Sequence, residues 1–286
     1  MDEDLRWHLL MSKTFERQIS DAFAMFREQG IEPLLIKGWA ASRYYPPDKP
    51  RFFTDIDIAV AEDDHERAAK LVDAKAFPNV VIDLHKELRA LDTMPWKELM
   101  DRSELIETDT GTIRVPCAED HLRVLCVHWL NDGGAYKNKL WDVYHLIENR
   151  RDDLDWNRVL GTVSETRQGW IKTAIAIAHK YLGLHTDDLP FAEEVRTVEP
   201  WISRALEKEW ATDVRLIPIH MVLRSPRKIF QQIRKRIPPN PIQSTIEMGG
   251  RLDARTPIFY QIGNYFQRIS PMFERVRYVV RARDGK

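Results

Sequence analysis

Long apolar runs are missing from this chain. Stretches such as Ile58 to Ala61 and Val80 to Ile82 fall far short of the ~20 residues that a membrane-spanning helix needs. Cysteine is scarce as well. Cys117 and Cys126 are the only two, and their spacing matches neither a metal site nor a disulfide framework. They read as reduced thiols, one in a loop and one in a helix. An apolar signal core is also lacking. The chain opens Met1, Asp2, Glu3, Asp4, an acidic start that argues against secretion and leads us to expect a cytoplasmic protein. No internal repeat is visible. What is present describes an ordinary globular chain. Of its 286 residues 43% are hydrophobic and 30% charged, and nine tryptophans supply large apolar area. That length allows two domains, or one domain with a helical extension.

The net charge of −1 conceals a segregation of sign. From Arg224 to Lys286 there are fourteen Lys and Arg against four Asp and Glu, leaving 29 basic against 40 acidic residues in the rest. Such an end either meets a polyanion or an anionic surface, or lies against the acidic body of its own chain.

The pattern along the chain predicts an α/β (α+β) domain over residues 1–116, with a small mixed sheet behind an N-terminal helix. A helical domain over 117–223 and a basic C-terminal extension over 224–286 follow. Leu5 to Gln29 carries Phe15, Ile19, Ala22, Phe23 and Phe26 at helical spacing and stops at Gly30. Leu34 to Lys37 is a short strand broken by Gly38, and Trp39 to Tyr45 a brief helix. Thr54 to Val60 and Asn79 to His85 are strands around a helix over Glu62 to Lys75. Pro95 to Arg102 is a short helix. Asp109-Thr110-Gly111 marks a hairpin turn between Leu105–Glu107 and Thr112–Val115. Beyond Pro116 the apolar period becomes 3.6, with stripes through Leu122, Leu125 and Trp129, through Leu140, Val143 and Ile147, and through Ile171, Ile175 and Leu182. Prolines 238, 239 and 241 interrupt the basic end, which is expected to be partly helical and partly irregular.

The chemistry concentrates in Thr54-Asp55-Ile56-Asp57-Ile58. Alternate residues of a strand share a face, so Asp55 and Asp57 point one way and Ile56 and Ile58 the other. Two neighbouring carboxylates repel, an arrangement that suits a divalent cation between them. Oxygen ligands favour Mg2+ or Mn2+. Asp83 interrupts the apolar run of the next strand, where an acid is unfavourable unless it faces the same cleft. Three carboxylates on two strands fit a two-metal, in-line displacement at phosphorus, with Asp83 as a further ligand or as the base. Upstream, Lys37 and Gly38 form a strand–turn–helix junction whose free amides and ammonium suit phosphate oxygens. Arg43 and Arg51 are further candidates for a polyphosphate.

In this order, Lys37-Gly38 before a helix, Arg51, Asp55-Ile56-Asp57 and Asp83-Leu84-His85 resemble the polymerase β-like nucleotidyltransferases. The likeness covers about residues 30–150 and is greatest to the bacterial group labelled uncharacterised nucleotidyltransferase. It implies that Asp55 and Asp57 bind two metal ions with Asp83 completing the triad, that Gly38 approaches the triphosphate of an NTP, and that an NMP passes to an acceptor with release of pyrophosphate. Lys137-Asn138-Lys139-Leu140-Trp141-Asp142 resembles the family's helical part, which places Lys139 and Asp142 at the nucleotide cleft. Trp39 stands where many superfamily members carry Ser or a second Gly, and Lys37 fits the uncharacterised group better than the antibiotic-modifying enzymes.

Other readings stay open at this point. A catalytically silent nucleotide- or RNA-binding module would keep the pattern without the chemistry. A glycosyltransferase with an acid–x–acid motif would need no Asp83. His121 and His128 share a helical face but have no third ligand at matching spacing and read as packing residues. His85 either edges the cleft or packs at the strand end, and Asp142 either serves the nucleotide or pairs with Lys139. Gly133-Gly134 is either a mobile loop or a plain connector. Trp96, Trp129 and Trp141 read as core. The basic end, where Phe230 and Ile233 interleave with Arg227, Lys228, Arg234, Lys235 and Arg236, has three readings: an RNA backbone, an anionic membrane surface, or a solvated helix. The acceptor is a tRNA or other RNA, a protein side chain or a small hydroxylated molecule.

Overall fold

The helical spacing near the N-terminus produces α1 (Glu3–Glu28), and Gly30 ends it in the left-handed region at φ 70°. The computed structural model describes residues 3–51, 53–74, 81–212, 214, 216, 217, 219–222, 225–253 and 256–268. Asn79 and Val80, the expected start of a strand, the expected helix end at Lys75 and the last eighteen residues of the basic end lie outside the described residues. The chain gathers into two compact units, Met1–Val127 with Trp141–Ser164, and His128–Leu140 with Glu165–Lys286.

The first unit holds a three-stranded sheet. Strand β1 (Leu34–Leu35) leads through α2 (Trp39–Ser42) to β2 (Ile56–Val60), which α3 (His65–Asp73) joins to β3 (Ile82–Lys86). The sheet order is β1-β2-β3, with β1 antiparallel and β3 parallel to β2. Helix α4 (Trp96–Arg102) and the antiparallel hairpin of β4 (Glu104–Thr108) and β5 (Gly111–Val115) follow. Alternation along β2 separates two cores. Ile56, Ile58 and Val60 pack with Ile19, Phe23 and Phe26 of α1 and with Ile113 and Val115 of β5. Ala59 of the other face joins Leu34, Ile36, Leu99 and Val124. Burying side chains of this size contributes about 1.5–3 kcal/mol each, and covering both faces fixes the register of the central strand.

Val124 lies on α5 (Ala118–Asn131), and α6 (Leu140–Arg150) and α7 (Trp156–Leu160) also contribute to this unit. The Arg123 guanidinium is 1% exposed and answered by Asp92 and Asp120. His121 is fully buried beside the Tyr44 ring, a packing histidine as expected. Cys117 and Cys126 are free and buried. Burial, with Asp120 nearby, pushes the Cys117 thiol up to about 12, and burial alone raises that of Cys126.

The second unit is helical among its described residues: α8 (Glu165–Leu182), α9 (Ala192–Val195), α10 (Pro200–Trp210), α11 (Pro226–Arg236), α12 (Pro241–Glu247) and a helix across 258–268. Ser225 and Asn240 cap α11 and α12, each ahead of a proline at the first helical position. Gly133 and Gly134 form a fixed connector rather than a mobile loop. Asn240 Nδ2 donates to the Gly133 carbonyl and Trp210 Nε1 to that of Gly134, and a Cβ on Gly134 would collide with Leu206. Among the described residues no helix is long and apolar enough to cross a membrane.

Candidate active site

Parallel pairing of β2 with β3 sets Asp57 opposite Asp83 and Ala59 opposite His85. With alternate residues sharing a face, Asp57, Asp83 and His85 converge, and each offers a ligand atom within 4.8 Å of the others'. His85 Nε2 lies 3.2 Å from Asp83 Oδ2 and 3.4 Å from Asp57 Oδ1. The members differ in exposure: Asp57 is 5% exposed, His85 is partly buried and Asp83 is open to solvent. Asp83 thus has the His85 ring as a neighbour on its own strand.

Asp55 sits in a bend just before β2 and is exposed. The strand begins at Ile56, two residues later than the sequence suggests, and the third donor of the cluster is an imidazole nitrogen instead of the Asp55 carboxylate. Sequence periodicity left His85 open because its role depended on whether the strand persisted past Asp83. It does persist, to Lys86.

Lys37 closes the constellation, with Nζ 2.5 Å from Asp57 Oδ1. Burial drives the Asp57 carboxyl up, but the hydrogen bond from His85 and the Lys37 charge outweigh it and hold the group at about 2. Asp57 is a carboxylate at any neutral pH. Gly38 follows with φ 60° and ψ −114°, a conformation that side chains resist. A Cβ there would stand in van der Waals contact with the Asp55 carbonyl at 3.4 Å and with Phe53, so the backbone conformation rather than space calls for glycine. The turn thus brings the Lys37-Gly38 backbone against the segment that carries Asp55.

Arg51 and Asp142 meet although 91 residues apart. Arg51 Nε donates to Oδ1 at 2.6 Å and an Nη to Oδ2 at 2.8 Å, while the Tyr45 hydroxyl donates to Oδ1 at 2.6 Å. Burial would lower the Arg51 pKa, but the Asp142, Tyr45 and Asp57 groups raise it, so Arg51 feels the Asp57 charge as well. Trp141, expected in the core, is 36% exposed and stacks on His145, which also touches Tyr45. Two candidates are engaged elsewhere. Arg43 reaches Glu104, the Ala40 carbonyl and the Tyr44 ring. Lys139 lies in a 3-10 turn ahead of α6 and pairs with Asp132 at 3.1 Å.

The donor set fits a divalent cation. The two carboxylates suit Mg2+ or Mn2+, whereas the imidazole is a borderline donor that favours a transition-metal ion, Mn2+ rather than Mg2+ of these two. Their separations of 3.2 and 3.4 Å approach the roughly 3 Å between adjacent ligand atoms of an octahedral ion with ~2.1 Å bonds. The Lys37 ammonium on Asp57 shows that positive charge is already favoured there.

Comparison with known proteins adds a family. Residues 2–183 match the model of the family described as "Uncharacterised nucleotidyltransferase". No curated protein and no solved structure gives a match.

Proposed function

The chain belongs to the uncharacterised nucleotidyltransferase family, and from that premise we propose that it transfers an NMP from an NTP to a hydroxyl-bearing acceptor with divalent metal. The observation that carries this reading is the Asp57–Asp83 register, which aligns two acids and His85 on rigid neighbouring strands beside the Lys37-Gly38 turn. In the reaction an acceptor oxygen bonds to the α-phosphorus, the α–β bridging bond breaks, and pyrophosphate leaves with the electron pair. Asp57, Asp83 and His85 would hold the metal, with Asp55 at the mouth of the strand as the partner for a second ion. A divalent cation bound there supplies positive charge against the phosphate oxygens and the leaving group.

The remaining roles belong to the chain itself. Asp57, ionised and nearly buried, is a ligand and no base. Asp83, the more exposed acid, either ligates the metal or accepts the proton of the acceptor hydroxyl. Lys37 and the Gly38 amides meet the triphosphate, Arg51 adds charge while Asp142 and Tyr45 hold it in orientation, and the exposed Trp141 ring offers a face to a nucleobase. The involvement of Asp83 weighs against the glycosyltransferase reading, which gives that residue no task. Localisation in the cytoplasm remains part of this proposal.

The test is incubation with Mg2+ or Mn2+ and each labelled NTP, with and without total tRNA or cell extract. Pyrophosphate release with label retained on one fraction is the expected result and identifies the acceptor class. Asp57→Asn should lower it at least roughly a hundredfold. Nucleotide bound without any pyrophosphate release would show a silent binding module instead.

A further inference from the structure

Most large apolar side chains left exposed among the described residues fall between Leu216 and Phe266. Helix α11 carries five basic residues and no acid in eleven positions. Along it Phe230 and Ile233, spaced to share one helical face, are 66% and 43% exposed, and Ile237 just past its end is 51% exposed. Leu216, Ile217 and Met221 extend the apolar surface at 54%, 39% and 68%. Ile217 is tied to α11 by Gln232, whose side chain accepts from the Ile217 amide, and by Arg236, which donates to the Ile217 carbonyl. Arg227 and Arg234 lie beside the stripe and are exposed, and Lys228 is exposed farther round the helix. Round the helix from the stripe, a cleft of about 550 Å3 is lined by Arg234, Lys235, Lys208 and the prolines at 238 and 239. The helix across 258–268 leaves Phe259 and Phe266 exposed in the same unit.

We propose that α11, together with Leu216, Ile217 and Met221, forms a docking surface for an anionic lipid bilayer. Basic side chains answer the headgroup phosphates, and the apolar stripe enters the boundary between headgroups and acyl chains. The apolar stripe favours lipid over nucleic acid. A phosphodiester backbone is bound by charge and hydrogen bonds, and bases by flat rings. Ile233, Ile237 and Leu216 serve neither purpose, yet they are the groups that gain by leaving water for lipid. Charge complementarity selects the bilayer: a positive face suits an anionic surface and gains nothing from a zwitterionic one.

The experiment is flotation of the full chain with vesicles of phosphatidylcholine alone and of equimolar phosphatidylcholine and phosphatidylglycerol, beside binding to labelled total tRNA. We expect the anionic vesicles to carry the protein and the zwitterionic ones to leave it behind. The double variant Phe230→Ser with Ile233→Ser, which keeps every charge, should weaken vesicle binding by at least roughly tenfold. Far-ultraviolet circular dichroism checks that the variant is folded. The triple variant Arg227→Gln, Lys228→Gln, Arg234→Gln should weaken binding as well. Failure to float with anionic vesicles overturns the proposal. So does flotation that the Phe230/Ile233 variant leaves unchanged, or tRNA binding in place of vesicle binding.

Discussion

His121 fills a gap against the Tyr44 ring with no solvent contact, and its charge state follows from that. Burial, reinforced by the positive charges of Arg43 and Arg51, lowers its pKa to about 3 from an ordinary value of 6.5. In the unfolded chain the ring takes up a proton below about pH 6.5, whereas the folded chain refuses it until about pH 3. The unfolded state thus binds more protons throughout that window, and stability falls as the pH drops through it. His121→Phe keeps an aromatic ring but removes the titration. Urea denaturation at several pH values between 7 and 4 should show the wild type losing stability more steeply than the variant, by up to about 1.4 kcal/mol per pH unit. Parallel slopes would mean that the imidazole is not excluded from water. Asp57 shows the opposite balance: its burial is offset by Lys37 and His85, so a group of similar seclusion stays charged.

At the scale of elements, Arg51 and Tyr45 join the loop before β2 to the first turn of α6 through Asp142. Asp142 is 4% exposed, so Arg51→Ala strands a buried carboxylate with only the tyrosine. This should cost ~3–5 kcal/mol in urea unfolding, whereas removing both charges together, as Arg51→Met with Asp142→Leu, should cost much less. Equal losses in the single and double variants would show that the pair carries no such penalty. This link marks where the sequence stopped being informative. Asp57 and Asp83 were legible because period-two alternation is local, and the hairpin was legible from Asp109-Thr110-Gly111. An ion pair across 91 residues has no local signature, so Arg51 and Asp142 were each assigned to the nucleotide without sign of the other.

At the scale of the molecule, the unit that holds the cluster is not contiguous in sequence. It takes in Trp141–Ser164 as well as the first 127 residues. A fragment of residues 1–116 would lack Val124, which packs on Leu34, Ile36 and Ala59, and Asp142, which anchors Arg51. It should fail to give a cooperative thermal transition by circular dichroism, while a fragment extended to residue 164 restores one. A cooperative transition in the shorter fragment would refute this dependence on α5 and α6. Composition signalled a basic end, but charge counting alone could not separate a solvated helix from a docking face. That distinction required the exposure of Phe230, Ile233 and Ile237.

Both native thiols are shut away from solvent and held in their protonated, unreactive form. A cysteine placed anywhere on the exterior is therefore a single chemical handle on an otherwise silent background. A dye or spin label can report on α11 or on the mouth of β2 without first stripping the molecule of its own sulfur.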